Sequence, residues 1–314
     1  MARPLTVPTG ATARRRTWGE LPEAVRARIE RRLGATVRES WSQGSGFTPG
    51  FASRLLLSDG RGAFVKAADD ATQPTFAASY RDEVRKVSTL PSGVAVPALR
   101  WSCDVDGWVV LCFDDVGGHP PRRPWRSDEL AAVLNTVTAL SSALTPVPAG
   151  LTVPTWAEEL AGFVTYWGRF KAAGVLARHS AEAIGLAEQG LGAGAGDTMA
   201  HCDLRDDNVV IGNDGRIWVC DWNWPVRAAP WIDLLTLLIS AHGDGHDADA
   251  LLRANSLASG VAAERIDAVL ALLVGYFLGA AEGEAPATSP WIRIHQRWYG
   301  HVTTDWLAQR RAWR

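Results

Sequence analysis

The sequence is short of cysteine, of long apolar runs and of excess charge, and each shortage argues against a class of protein. Its 4 cysteines, at positions 103, 112, 202 and 220, form no C-x-x-C pair, which disfavours a disulfide-stapled secreted domain. No apolar run approaches the roughly 20 residues of a membrane span, and the first residues include no apolar signal segment. A formal net charge of −2 argues against a nucleic-acid binder with a basic face. We therefore expect a cytoplasmic protein that binds neither nucleic acid nor membrane.

Lysine is the scarcest charged residue, because only Lys66, Lys86 and Lys171 occur among 32 basic residues. Each lysine is therefore a candidate for a specific role. The arginine run at 14–16 is typical of a solvated tail, with a nucleic-acid or membrane patch as the alternative. Residues 116–314 carry 16 basic and 21 acidic side chains, a weak excess of negative charge.

The chain of 314 residues is long for one core, so two lobes are expected, 1–115 and 116–314. In the first lobe, short β-like runs alternate with turns, and an Asp59-Gly60 turn joins two of them into a hairpin. The predicted strands are 54–57, 63–66, 94–101 and 108–113. The predicted helices are 18–33, with Pro22 in its first turn, and 76–90, with Tyr80, Val84 and Val87 as its buried stripe.

The second lobe is predicted to be mainly helical. Residues 116–123, rich in glycine and proline, indicate a hinge or linker, and the glycine-rich stretch 190–196 indicates a flexible connector. The predicted helices are 127–142, 155–189, 230–242, 246–259, 262–281 and 290–311. Trp291, Trp298 and Trp306 either stack on a ring-shaped substrate or lie in the helical core.

The segment 198–221 contains the residues best suited to chemistry. Two β runs, 209–211 and 217–219, flank a Gly-Asn-Asp-Gly turn and predict a hairpin. That hairpin brings Asn208 beside Asp221, while Asp203 precedes Asn208 in a loop. Two carboxylates and an amide oxygen suit a Mg²⁺ ion that carries phosphates. Phosphoryl transfer needs this set, including a carboxylate to orient and deprotonate the acceptor hydroxyl.

Other polar residues nearby fit structural roles better than chemical ones. His201 is interpreted as a member of the loop that hydrogen-bonds to backbone, and Asp233 as a carboxylate that braces the loop near a helix start. The histidines and aspartates between residues 242 and 249 have two readings, a metal site or an ordinary solvated loop. Their spacing matches no zinc pattern.

The string His201-x-Asp203-x-x-x-x-Asn208, followed by Asp221, resembles the catalytic loop and metal-binding aspartate of the protein-kinase-like superfamily. A cysteine at 202 and Asp221-Trp222 in place of Asp-Phe-Gly resemble its aminoglycoside phosphotransferase and choline kinase branch. The sequence from 46 to 66, which ends in Phe-Val-Lys, is also similar to that branch. The resemblance covers roughly residues 18 to 260.

The resemblance implies a role for each matching position. Asp203 corresponds to the catalytic base, and Arg205 lies where relatives often have His or Lys and is expected to contact phosphate or substrate. Asn208 and Asp221 correspond to the Mg²⁺ ligands. The nucleotide-binding set comprises Lys66 for the phosphates, Glu83 as its helix partner, and Gly44, Ser45 and Gly46 in the covering loop. That loop, 43–53, lacks the full G-x-G-x-x-G of protein kinases.

We therefore expect an α+β, two-lobed protein-kinase-like fold, with a small antiparallel sheet in one lobe and mainly helices in the larger one. The resemblance implies a small-molecule kinase that transfers the γ-phosphoryl group of ATP or GTP, with Mg²⁺, to a hydroxyl acceptor such as an antibiotic. A weakly acidic second lobe is compatible with a cationic acceptor. The alternative is a nucleotide-binding pseudokinase that acts as a regulatory or scaffold module. The sequence defines neither the acceptor nor the oligomeric state.

Overall fold

The computed structural model describes residues 12–314, and its N-terminal part is built on a five-stranded antiparallel sheet. The elements of this part are α1 (Glu23–Leu33), β1 (Val37–Ser42), β2 (Phe51–Leu57), β3 (Gly62–Asp69), α2 (Pro74–Val87), β4 (Leu99–Val105) and β5 (Trp108–Phe113). The strands lie in the order β1-β2-β3-β5-β4, and α2 connects β3 to β4.

The hairpin between β2 and β3 forms where the Asp-Gly turn predicts it, with Gly60 in the left-handed region at φ +85°. The strand predicted at 108–113 is also confirmed; it lies between β3 and β4 and is buried along its whole length. The strand predicted at 94–101 is wrong in its first half, because β4 begins at Leu99. Pro97 has no N–H for a ladder, and the Ala95 carbonyl instead accepts a 2.7 Å bond from Val219 N.

Helix α1 is shorter than predicted because Pro22 ends a preceding turn of 3₁₀ helix at 18–20, and the α-helix begins at Glu23. Proline has no N–H to donate and a fixed φ, so it interrupts a helix unless it lies in the first turn. Val25, Ile29 and Leu33 form the buried stripe and pack against the sheet.

Helix α2 buries a different face from the predicted one. Tyr80 is buried as expected, but Val84 and Val87 are only half-buried. Glu83 and Lys86 are buried instead. Buried charges require partners, and the contacts that hold these two belong to the site described below.

The C-terminal part is mainly helical, with short two-stranded sheets, β6 with β9 and β7 with β8. Its elements are α3 (Ser127–Ala143), α4 (Trp156–Glu159), α5 (Gly174–Arg178), α6 (Ser180–Ala193), β6 (Thr198–Ala200), β7 (Val209–Ile211), β8 (Ile217–Val219), β9 (Val226–Ala228), α7 (Ile232–Gly243), α8 (Ala248–Ala254), α9 (Ala263–Ala281) and α10 (Ile292–Arg310). The α+β arrangement is therefore as predicted. Within residues 12–314, no helix is both long enough and apolar enough to cross a membrane.

The tryptophans serve mainly the core. Trp306 is wholly buried and Trp298 is buried among the C-terminal helices, which favours the core interpretation for both. Trp291 is half-buried at the start of α10.

Two predictions for the C-terminal part are wrong. The helix predicted at 155–189 is divided into α4, a 3₁₀ helix at 163–169, α5 and α6. One of the breaks ends at Gly174, the first residue of α5, which adopts a left-handed conformation at φ +56° that glycine allows. The flexible connector predicted from residue 190 begins instead as the end of α6. Gly190 packs so closely that an added Cβ would lie 2.7 Å from the Ala268 carbonyl oxygen, and its own carbonyl accepts a 3.0 Å bond from Trp156 Nε1.

The linker after β5 is bonded to the β7–β8 hairpin. His119 N donates to Ile211 O at 3.0 Å, and Ile211 N donates to His119 O at 2.8 Å. Gly118, at φ +92°, precedes this bridge, and a Cβ there would lie 2.0 Å from Ile211 O. Only glycine allows this approach of the two chain segments.

We expect Gly118→Ala to lower the free energy of unfolding by about 2–5 kcal/mol, from backbone strain and the clash together. Gly60→Ala is the matched control, because Gly60 has a similar φ of +85° but no atom within 4 Å of its added Cβ. It should cost only the strain of about 1–2 kcal/mol. Urea unfolding of both variants measures the difference, and equal losses would contradict the close packing of the linker.

Candidate active site

The β7–β8 hairpin positions the chemical groups of the loop before it. Val209 pairs with Val219, and Cys220 N donates to Asn208 O at 2.8 Å, which places Asn208 beside the chain that leads to Asp221. Asn208 Nδ2 donates to the carbonyl oxygen of Asp203 at 2.8 Å. The predicted hairpin is confirmed, and the structure brings Asp203, Asn208 and Asp221 together as the spacing indicates.

The loop at 201–203 is braced from α7. Asp233 accepts bonds from His201 N at 2.7 Å and from Cys202 N at 3.0 Å. The His201 ring contacts the carbonyl of Cys220 through Nε2 at 2.8 Å. Both residues therefore have the structural roles predicted for them.

Lys66 joins the sheet, α2 and the hairpin. Its ammonium lies 2.8 Å from Oε1 and 2.9 Å from Oε2 of Glu83, and 2.7 Å from Oδ1 of Asp221. The side chains of Lys66 and Glu83 are 9% and 2% exposed, whereas that of Asp221 is 32% exposed. Asp221 is thus the member of this triad that can accept a further ligand.

The electrostatics of the triad keep Asp221 ionised. Burial would raise the pKa of Asp221, but Lys66 holds it below its usual value. Burial does raise the pKa of Glu83, against the effect of Lys66. Burial also opposes the charge of Lys66, yet Asp221 and Glu83 raise its pKa above the usual range. The Lys66 ammonium thus contacts two carboxylates, and the more exposed one, that of Asp221, stays ionised.

A cavity of about 310 Å³ lies between the sheet and the hairpin, within the range of small-molecule sites. Lys66, Glu83, Asn208 and Asp221 all contribute to its wall. The wall also includes loop residues Ser45 and Gly46, hydrophobic side chains Phe64, Val96 and Phe113, and the segment 114–120. Gly44 is not part of the wall. Its carbonyl accepts 3.0 Å bonds from the N and Oγ1 of Thr12, which hold the loop in place.

Asp203 and Arg205 lie outside this cavity wall and contact each other. Arg205 Nη1 donates to Asp203 Oδ1, and its Nε and Nη2 form 2.9 and 3.0 Å bonds with Asp207. Burial raises the pKa of Asp203, and Arg205 opposes that rise. Arg205 is therefore engaged by two carboxylates of its own loop.

The donor atoms present fit Mg²⁺. Within residues 12–314, Oδ1 of Asn208 and Oδ2 of Asp221 accept no hydrogen bond from the protein, and both residues face the cavity. Asp221 adopts φ +66°, a conformation that costs a non-glycine residue about 1–3 kcal/mol and is concentrated at functional sites. Mg²⁺ commonly binds one or two protein oxygens together with substrate phosphates. In the described part of the chain, no three His, Cys, Asp or Glu side chains could hold a metal by themselves.

Besides the Lys66–Glu83 pair, α2 contacts Asn223, and the sequence analysis did not predict this second set of contacts. Lys86 Nζ donates to the carbonyl of Asn223 at 2.7 Å, and Ser79 Oγ donates to Asn223 Oδ1 at 3.0 Å. Asn223 Nδ2 in turn donates to Asp221 Oδ1. The scarcity of lysine could have indicated Lys86, because two of the three lysines belong to this network.

The arginine run at 14–16 is not a solvated tail as predicted. Arg15 lines the cavity, and the guanidinium of Arg16 lies 5.2 Å from the ring centre of Trp108. Arg14 alone is exposed, and its backbone N donates to Thr288 O at 2.8 Å. Carbonyl oxygens of the glycine-rich loop hold this segment in place, so Arg15 and Arg16 are only partly exposed.

The polar residues at 242–249 are engaged by neighbouring groups. Asp244 binds Arg123 through 2.6 and 3.0 Å contacts and accepts a 2.7 Å bond from Trp125 N. His246 Nε2 contacts Trp125 O at 2.9 Å, and Asp247 caps α8 through Ala250 N at 2.9 Å. The contacts of Asp244 and His246 join the loop to the region before α3.

A small sheet with one inserted helix, a lysine–glutamate pair, and a hairpin that carries Asn and Asp define a kinase-like fold. Solved structures confirm this fold across most of the chain. Aminoglycoside phosphotransferase APH(4)-Ia, in a ternary complex with ADP and hygromycin B, has a TM-score of 0.62 and 14% identity, with 91% of this chain and 98% of that chain covered. Choline kinase LicA from Streptococcus pneumoniae has a TM-score of 0.61 and 14% identity, again with 91% of this chain and 98% of that chain covered.

A third structure, the GDP and kanamycin complex of APH(2")-IIia, has a TM-score of 0.58 and 13% identity, with 90% of this chain and 97% of that chain covered. No protein-family model matches the sequence, and no curated protein sequence does. The chain thus has the fold of aminoglycoside phosphotransferases and choline kinases. At these identities the likeness establishes the fold alone.

Proposed function

We propose that this protein is a small-molecule kinase that transfers the γ-phosphoryl group of ATP or GTP to a hydroxyl group. The observation that carries the proposal is the Lys66–Glu83–Asp221 triad beside Asn208, on the wall of a 310 Å³ cavity. Neighbours with this fold bind ADP or GDP together with a small molecule, which supports the same pair of ligands here.

In the proposed mechanism, Lys66 holds donor phosphates while Glu83 and Asp221 keep its ammonium in place. Asn208 and Asp221 would hold Mg²⁺, which supplies positive charge to offset the charge that develops on the phosphates. Ser45 and Gly46 of the glycine-rich loop would cover the donor. The hydrophobic side chains Phe64, Val96 and Phe113 suit the flat base of a nucleotide.

Asp203 is proposed to act as the general base. Its Oδ1 is held by Arg205, which orients the carboxylate. The acceptor hydroxyl gives its proton to Asp203 as its oxygen bonds to the γ-phosphorus. The bond from that phosphorus to the β-phosphate oxygen breaks, and the nucleoside diphosphate leaves. Arg205 is thus proposed as a positioning residue.

The acceptor class can be tested with a panel of aminoglycosides, nucleosides, sugars and amino alcohols. Consumption of ATP and of GTP is measured with each acceptor in the presence of Mg²⁺. We expect acceptor-dependent nucleoside diphosphate release with at least one class, and the weak negative charge of 116–314 is compatible with a cationic acceptor. Nucleotide binding without any acceptor-dependent turnover would instead favour a nucleotide-binding pseudokinase module.

A further inference from the structure

Among residues 12–314, one lysine or arginine side chain on the cavity wall has no acidic partner. Of the lysine and arginine side chains on its wall, Lys66 is held by two carboxylates. Arg54 forms a two-bond pair with Asp115 at 2.9 and 3.1 Å. Arg15 forms no salt bridge with any residue in the described range 12–314.

Arg15 reaches the cavity from a segment that runs beneath the glycine-rich loop. Thr12 N donates to Gly44 O at 3.0 Å and Arg16 N donates to Gly50 O at 3.1 Å, so the backbone is fixed on both sides of Arg15. Its Nη2 donates to the carbonyl of Ser45 at 2.9 Å. Its Nε is buried and, among the described residues, has no hydrogen-bond partner.

The guanidinium shares its space with the proposed donor site. A Cβ added to Gly46, at φ +82°, would lie 3.1 Å from Arg15 Nη2 and 4.0 Å from Asp207 Oδ2. Asp207 is already paired with Arg205.

Arg15 therefore lines the cavity with a buried N–H donor and, among the described residues, without an acidic partner. Buried donors without partners are costly, and the planar guanidinium matches the geometry of phosphate oxygens. An anion that entered here would satisfy Nε and the remaining N–H groups together. The loop, the proposed cation ligands and Lys66 all border the same volume, so the anion belongs to the donor molecule.

We propose that Arg15 binds the β- or γ-phosphate of the donor nucleotide. This inference rests on the proposed function and deepens it, because it adds a phosphate-binding residue from a segment that precedes residue 18, where the sequence resemblance begins. The ligand class is a nucleoside di- or triphosphate, because a monophosphate has neither a β- nor a γ-phosphate.

The test is calorimetric binding of ADP, GDP and a non-hydrolysable triphosphate, each with Mg²⁺, and of AMP and GMP. Arg15→Ala should raise the Kd for the di- or triphosphate by about 10- to 100-fold, which is typical of a lost charge-assisted bond. It should leave the Kd of the monophosphate unchanged. Arg14→Ala is the matched control, since Arg14 is an exposed neighbour, and it should bind every nucleotide like the wild type.

A second variant separates phosphate binding from support of the loop. Arg15→Gln keeps an N–H donor for the Ser45 carbonyl but has no charge, so it should lose affinity as Arg15→Ala does. Wild-type affinity in Arg15→Gln, or an equal loss for monophosphates, would show that Arg15 only supports the loop and would overturn the inference. If the wild-type protein bound no nucleotide, the proposed function itself would fail, and this inference with it.

Discussion

Asp203→Asn is expected to lower kcat by about 10²- to 10⁴-fold, the usual contribution of a well-placed general base. Asparagine keeps the size of the side chain and one oxygen for Arg205, but it cannot take the proton of the acceptor hydroxyl. Asp203 lies outside the cavity wall, so nucleotide affinity should stay near that of the wild type. Steady-state kinetics and calorimetry with a non-hydrolysable nucleotide measure the two effects separately.

Asp207→Asn is the comparison for this variant. It makes the same chemical change on the other carboxylate that Arg205 contacts, so it reproduces the loss of a charge beside Arg205 without removing the base. We expect a much smaller loss of kcat from it. Equal losses of kcat in the two variants would assign the effect to the ion network, and a collapse of nucleotide binding in Asp203→Asn would make Asp203 a metal ligand or a structural brace.

Asp221→Ala is expected to abolish Mg²⁺-dependent nucleotide binding. A bridging cation contributes several kcal/mol to phosphoryl transfer, so turnover should fall by at least about 10³-fold. Lys66 would retain Glu83 as its partner, and the fold should survive, as a thermal melt would check. Titration of nucleotide in Mg²⁺ and again in EDTA gives the direct measurement: in the variant the two curves should coincide.

Asp233→Asn is a useful comparison for Asp221→Ala. Asp233 braces the same loop from α7 but makes no direct contact with the proposed donor. Asp233→Asn should lower the free energy of unfolding, but the variant should still bind nucleotide more tightly in Mg²⁺ than in EDTA. If Asp221→Ala also bound nucleotide more tightly in Mg²⁺ than in EDTA, this result would contradict the assignment of Asp221 as a Mg²⁺ ligand.

The sequence was most informative where the interacting residues are neighbours in the chain. Asn208 and Asp221 flank one hairpin whose turn is evident from Gly-Asn-Asp-Gly, so local pairing brings them together, and Asp203 lies only five residues before Asn208. The contact between Lys66 and Glu83 was expected only from the family resemblance, because nothing local orients α2 on the sheet.

Other features depend on contacts that no local pattern records. The buried face of α2 was misassigned because Glu83 and Lys86 are buried by partners on the sheet and beyond the hairpin, and apolar periodicity cannot register an ion pair. Arg15 was misread for the same reason, since the loop carbonyl that holds it lies 30 positions further along the chain. One break in the helix predicted at 155–189 ends at Gly174, whose left-handed backbone conformation apolar spacing does not reveal.

The scarcity of lysine has a consequence for chemical labelling. Lys66 and Lys86 are buried, whereas Lys171 is exposed. Amine-reactive reagents should therefore modify Lys171 first among the side chains, which offers a single attachment point for a fluorophore. Lys66 can react only when its contacts with Glu83 and Asp221 break, so the extent of its modification would report how often the cavity opens in solution.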